Sequence, residues 1–191
     1  MKQTDCLKYY HLEEFLFNDV SIRFRNDGYI TAFDFFCIVI WKANRAKSKI
    51  AKRLLAKGYD ELDSAVKALT KSVSEANEPK NRLQVLINNW GFRLPMASAI
   101  LTVLYPDEFT IYDVRVCEML EKFADTQHKK PFDKLWDSYE EYIKSVKTVV
   151  TENLSLRDKD RWLWGKSFAS QLEKDIENKF PGKPDDSNSE A

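Results

Sequence analysis

Histidine, cysteine, glycine and proline are all scarce in this 191-residue chain, with 2, 3, 5 and 6 copies. So little glycine and proline disfavours a β-rich protein that turns every few residues. Cys6, Cys37 and Cys117 lie far apart. They match neither a metal-ligand spacing nor an even disulfide set, and read as buried, reduced thiols of a cytosolic protein. His11 and His128 carry no neighbouring ligand pattern, so no metal and no cofactor is expected. Long apolar runs are missing too. The longest, Phe35 to Trp41, is too short to span a bilayer, and the opening MKQTDCLKYYHLEEF has no secretory-signal block. The expectation is a cytoplasmic protein that does not engage a membrane. Net charge is also absent, with 30 basic against 30 acidic residues. Any nucleic-acid contact therefore has to come from a local patch.

What is present is a globular composition, 43% hydrophobic and 13% aromatic, in a chain long enough for one good core or two small lobes sharing a cleft. Helical periodicity dominates, so the fold class expected is all-α. Thr31 with Asp34 reads as a capped start for AFDFFCIVIWKA, apolar on most sides and therefore central. Lys42 to Lys57 reads as a basic continuation stopped by Gly58. Asp60 is placed to cap ELDSAVKALTKSVSEA. Pro79 suits the first turn of a helix running through NRLQVLINNW to Gly91. Pro95 opens MASAILTVLY and Pro106 closes it. FTIY is a candidate extended piece. Asp113 begins VRVCEMLEKF, and long amphipathic helices follow at roughly Asp133–Val150 and Leu156–Lys179. Residues 1–180 read as one helical domain, and the tail 181–191, PGKPDDSNSEA, as disordered.

The segment VLINNWGFRLPMASAILTVLYPDEFTIYDVRVCEMLEKF reads as helix, short hairpin, helix, connection, acidic residue, helix. In this order and spacing it resembles the helix-hairpin-helix superfamily of DNA base-excision glycosylases. Gly91 corresponds to the hairpin glycine, Ala97 to the small-residue start of the second helix, and Tyr112-Asp113-Val114-Arg115-Val116 to the aspartate-bearing motif. The apolar positions Ile100, Leu101, Leu104, Val116, Met119 and Leu120 fall where that family packs its core. The match covers Leu86–Phe123, 38 of 191 residues, within a helix-hairpin-helix core at 80–124.

The resemblance implies a duplex-DNA partner with an everted base, and a carboxylate, Asp113, acting at the sugar as the base departs. The hairpin Gly91, Phe92, Arg93 and Leu94 would hold a DNA phosphate on backbone N–H groups. The sequence also departs from the family. Pro95 stands where strand-cleaving members carry a nucleophilic lysine, so a monofunctional glycosylase without lyase activity is implied. Arg93 replaces a second glycine, Arg115 replaces the usual histidine, and there is no iron–sulfur cysteine cluster.

Other residues carry more than one reading. Lys42, Arg45, Lys47, Lys49, Lys52, Arg53 and Lys57 follow one another with no acid between them. They form either a solvated face or a DNA-backbone contact, for which Arg45, Lys49, Lys52 and Arg53 are the candidates. Arg157, Arg161, Trp162, Trp164 and Lys166 make a basic-aromatic cluster in which at least one indole suits the core. Trp90, Tyr112, Trp162 and Trp164 are the candidate stacking residues for an extruded base. Asp113 is itself a favoured helix N-cap, whatever else it does. A non-catalytic DNA-binding module on this scaffold and a helical protein–protein interaction domain, its basic helix meeting an acidic partner, stay open beside the glycosylase reading.

Overall fold

The computed structural model describes residues 6–149, 151 and 153–180, all helical or irregular and without a strand among them. The expected disordered tail lies outside the described residues. The chain opens with α1 (Leu7–Tyr10). Then α2 (Leu12–Phe15) passes through a π-turn at Leu16–Val20 into α3 (Ser21–Asp27). Gly28, at φ 73°, ends α3 in the left-handed conformation, and its N–H reaches the Phe24 carbonyl at 2.8 Å. A Cβ at that position would also sit 3.3 Å from Ser74 Oγ.

The central helix α4 (Ala32–Ala43) starts as the sequence implies, with the Thr31 hydroxyl accepting the Asp34 N–H. The Asp34 carboxylate is buried, and Arg23 clamps it through two nitrogens at 2.7 and 3.2 Å. The basic run is not one helix. A 3₁₀ turn at Asn44–Ala46 separates α4 from α5 (Lys47–Leu55), which redirects the chain and splits Lys42 from the cations that follow. The next helix, α6 (Leu62–Glu75), is preceded by Glu61 with no side-chain cap, so Asp60 is not its cap. Instead Asp63 accepts the Ala32 N–H at 2.7 Å and ties the starts of α6 and α4 together.

Pro79 opens α7 (Pro79–Gln84), which loosens into a π-turn at Val85–Asn89 before the hairpin at Trp90–Arg93. The helix beyond it, α8 (Leu94–Leu104), is buried at every position except Pro95. It packs against α4, and the two form the centre of one continuous apolar cluster from Phe15 to Leu163. The FTIY segment is irregular. The short α9 (Val114–Met119) stops before the expected Phe123. Glu121, at φ 52°, turns left-handed, and the Lys122 N–H reaches back to the Cys117 carbonyl, a Schellman-type ending without glycine. α10 (Phe132–Val149) and α11 (Leu156–Glu177) close the fold, with α11 lying along α9. No described helix is long and apolar enough to cross a membrane.

Candidate active site

Asp113 is delivered by an irregular segment, and α8 and α10 hold that segment in place. The Tyr112 N–H donates to Ser98 Oγ on α8 at 2.9 Å. Two fully buried tyrosines of α10 donate to carbonyls of the segment, Tyr139 to Thr110 at 2.6 Å and Tyr142 to Ile111 at 2.7 Å. The Tyr112 hydroxyl in turn donates to the Phe123 carbonyl at 2.6 Å. Small residues at Ala97, Ser98 and Ala99, all at 0% exposure, let the backbone approach α8 closely. Burial raises all three phenols well above their ordinary value, so they stay protonated as donors. Tyr139→Phe and Tyr142→Phe each leave a buried carbonyl without its donor. Each is expected to lower the unfolding free energy by about 1–3 kcal/mol, read as a lower urea midpoint, and an unchanged midpoint would show that these bonds do not hold the segment.

The carboxylate does two things. Oδ1 accepts the Arg115 N–H at 3.1 Å and caps α9, while Oδ2 accepts from Lys42 Nζ at 2.7 Å, across 71 residues of sequence. Side-chain exposure is 24% for Asp113 and 17% for Lys42, so the pair sits in a recess and still meets solvent. Two adjoining cavities of about 400 Å³ each flank it, and both are lined by Lys42, Asp113 and Trp164. One adds Glu13, Trp41, Ile111, Arg157, Asp160 and Arg161. The other adds Pro95, Tyr112, Val114, Arg115 and Gln127, and so reaches the start of α8 beside the hairpin.

The hairpin keeps the expected turn but not all of the open donors expected of it. Gly91, at φ 70°, takes the left-handed conformation the turn requires. Its N–H and that of Phe92 donate to the Ile87 and Leu86 carbonyls, so neither is open to a phosphate, and the side chains of Phe92 and Leu94 are in the core. The N–H groups of Arg93 and Leu94 have no acceptor among the described residues, and Arg93 is exposed. Arg53 donates to the Gly91 carbonyl at 2.6 Å and lies over the Phe92 ring. It braces the hairpin from α5, while Arg45, Lys47, Lys49, Lys52 and Lys57 stand exposed.

The aromatic candidates divide. Trp90 is buried behind the hairpin, stacked on Tyr59 at 6.0 Å, and lines neither cavity. Trp162 is exposed, lies under Lys166 and also lines neither. Trp164 lines both, its indole stacked on Phe168 with the Arg115 guanidinium against it. Neither Trp162 nor Trp164 is the core indole expected, because α11 turns Leu156, Asp160, Leu163 and Ser167 inward instead. Cys37 and Cys117 are buried as expected, and burial pushes the Cys117 thiol up to about 11. Cys6 is exposed, contrary to expectation.

Sequence reasoning missed Glu13, Trp41 and Asp160, read Arg157 only as a member of the basic-aromatic cluster with Arg161, and placed Lys42 in the wrong group. The guanidinium of Arg157 lies over the rings of Phe17 and Trp41 and bridges Glu13 to Asp160, with Nε donating to Glu13 at 2.9 Å and Nη1 to Asp160. Burial, partly opposed by Arg157, raises the Asp160 carboxyl to about 6. Nothing in the local sequence marks Glu13, Trp41 or Asp160, since each belongs to an ordinary helical pattern and only tertiary packing joins α2, α4 and α11. The chain matches no protein-family model, no curated protein and no solved structure.

Proposed function

We propose that the protein is a monofunctional DNA N-glycosylase built on a helix-hairpin-helix core, hydrolysing the bond between a damaged or modified base and its deoxyribose. The observation that carries this reading is the double engagement of Asp113. Its carboxylate is fixed by the helix it caps, while its second oxygen, paired with Lys42, borders a cleft that reaches Pro95 at the start of α8. A carboxylate held there stabilises the cationic sugar that forms as the base leaves, and orients the attacking water. The cavities are of a size that takes a base and its sugar. Oligonucleotide duplexes carrying a panel of modified bases test the reading. Alkali-labile abasic sites are expected with at least one lesion, and a broad panel yielding none would remove it.

Lys42 favours a second reading of the same chemistry. Pro95 stands at the start of α8 where strand-cleaving members carry a lysine, but α4 supplies an amine 2.7 Å from Asp113. Borohydride added during turnover distinguishes the two. A trapped protein–DNA adduct that disappears in Lys42→Gln would make the amine the nucleophile, whereas the monofunctional reading expects no adduct.

The exposed cations of α5 and the N–H of exposed Arg93 are assigned to the DNA backbone. Reversing Lys49 and Lys52 to Glu is expected to weaken duplex binding and to flatten the slope of log K against log salt by about 2. Unchanged affinity would exclude α5 from the contact. Specific affinity for a protein, with no DNA binding at any salt concentration, would favour the interaction-domain alternative.

A further inference from the structure

Two carboxylate oxygens in the cavity lined by Glu13 and Asp160 have no partner among the described residues, and they belong to residues that the proposed hydrolysis does not use. Arg157 and Arg161 together make four contacts to Glu13, through the Nε and Nη2 atoms of each, and all four fall on Oε1. Oε2 has no partner among the described residues. Asp160 receives Arg157 on Oδ2, and its Oδ1 likewise has none. Asp160 is only 2% exposed, yet the side-chain oxygens sealed from solvent without a partner are the hydroxyls of Ser21 and Thr110. Oδ1 therefore opens on the cavity that Glu13 and Asp160 both line.

The complement of such oxygens is an N–H donor. The cavity does not select for positive charge as a whole, because Lys42, Arg157 and Arg161 balance Glu13, Asp113 and Asp160. Selection falls to the hydrogen-bond pattern. The remaining lining, Trp41, Ile111 and Trp164, is flat or apolar and suits a planar heterocycle. A space of about 400 Å³ takes a bicyclic base.

We propose that this cavity is a subsite for an amino-bearing purine, with Asp160 Oδ1 and Glu13 Oε2 accepting the N–H donors of the exocyclic amine. The assignment rests on the glycosylase reading above and names the class of base removed. A base whose edge offers mainly carbonyl oxygens sets lone pairs against these carboxylates and leaves them desolvated and unpaired. With its carboxyl at about 6, Asp160 is mostly in the accepting, ionised form at neutral pH.

Binding of isolated bases to the whole chain tests this without any bond being cleaved. The probes are 9-methyladenine, 9-methylpurine and 1-methyluracil, their glycosidic nitrogens blocked, followed by NMR shifts of the tryptophan indole N–H signals. The amine is expected to bring about 10- to 100-fold tighter binding of 9-methyladenine over 9-methylpurine, the contribution of a charge-assisted hydrogen bond. That preference is expected to shrink in Asp160→Asn and, independently, in Glu13→Gln, whose side chain is partly exposed and whose change leaves the core untouched. Equal binding of the two purines, a preference for 1-methyluracil, or no shift with any probe would overturn the assignment. If abasic sites still form in that case, the base class falls and the reaction stands. Purine-selective binding with no abasic sites from any lesion would leave the subsite standing and overturn the reaction.

Discussion

Asp113→Asn is expected to slow single-turnover base release by about 10²–10⁴ while changing stability by no more than about 1 kcal/mol. The two effects separate because the two oxygens of the carboxylate have separate partners. Asparagine caps helices as well as aspartate does, so the Arg115 N–H keeps an acceptor. What is lost is the negative charge beside the sugar, and with it the stabilisation of a cation formed only on the way to the transition state. Lys42 loses its ion-pair partner, but it meets solvent and can rehydrate. Asp113→Ala removes the cap as well, and is expected to be about 1 kcal/mol less stable than Asp113→Asn at a similar rate. Single-turnover kinetics with a strand-cleavage readout, beside urea unfolding of the three proteins, checks both quantities. A variant that loses activity only in proportion to its stability would make Asp113 a cap and nothing more.

The second large effect is on stability against pH. Burial lifts the Asp160 carboxyl from its ordinary 3.8 to about 6. Because the folded value is the higher one, the folded state holds the proton more tightly. The contribution to stability is full below pH 3.8 and is lost as pH rises through 6. That gap corresponds to about 3 kcal/mol. Asp160→Asn has no such titration, so relative to wild type it is expected to gain about 2.5 kcal/mol between pH 4 and pH 7.5. Taking the difference between the two proteins cancels carboxylates common to both. Arg157 retains Glu13 in the variant, so no buried guanidinium is stranded. Urea unfolding at several pH values gives the curve, and a difference that stays flat would show that water or a relaxed geometry solvates the Asp160 carboxylate.

The parts of this molecule that a sequence can announce are those decided locally. Thr31 with Asp34, Pro79, Gly91, Pro95 and Asp113 set helix ends through capping, a fixed φ or a left-handed turn, and each of those ends lies where these residues imply. Asp113 is legible for the same reason, as a cap with a recognisable neighbourhood. The rest of the cleft is set by contacts between distant segments. Lys42 reads as the first cation of a basic run until the turn at Asn44–Ala46 breaks that run and lets α4 carry it to Asp113. Trp41 is hidden in the apolar stretch of α4. Glu13 meets Arg157 across 144 residues, a separation over which no spacing rule operates. The end of α9 also misleads, because left-handed Glu121 stops it where glycine would have been the signal. The two indoles of α11 face outward because its inward stripe is taken by Leu156, Asp160, Leu163 and Ser167, a choice decided by the facing helices.

The most direct test follows free base and abasic strand together. A duplex carrying one modified amino-purine is incubated with the wild-type chain and, in parallel, with Asp113→Asn, and released base is quantified by mass spectrometry beside alkali-induced strand cleavage. The predicted result is one free base per abasic strand from the wild type and almost none from the variant. Equal release by both proteins would place the chemistry elsewhere, and intact DNA from the wild type across all modified bases would contradict a glycosylase outright.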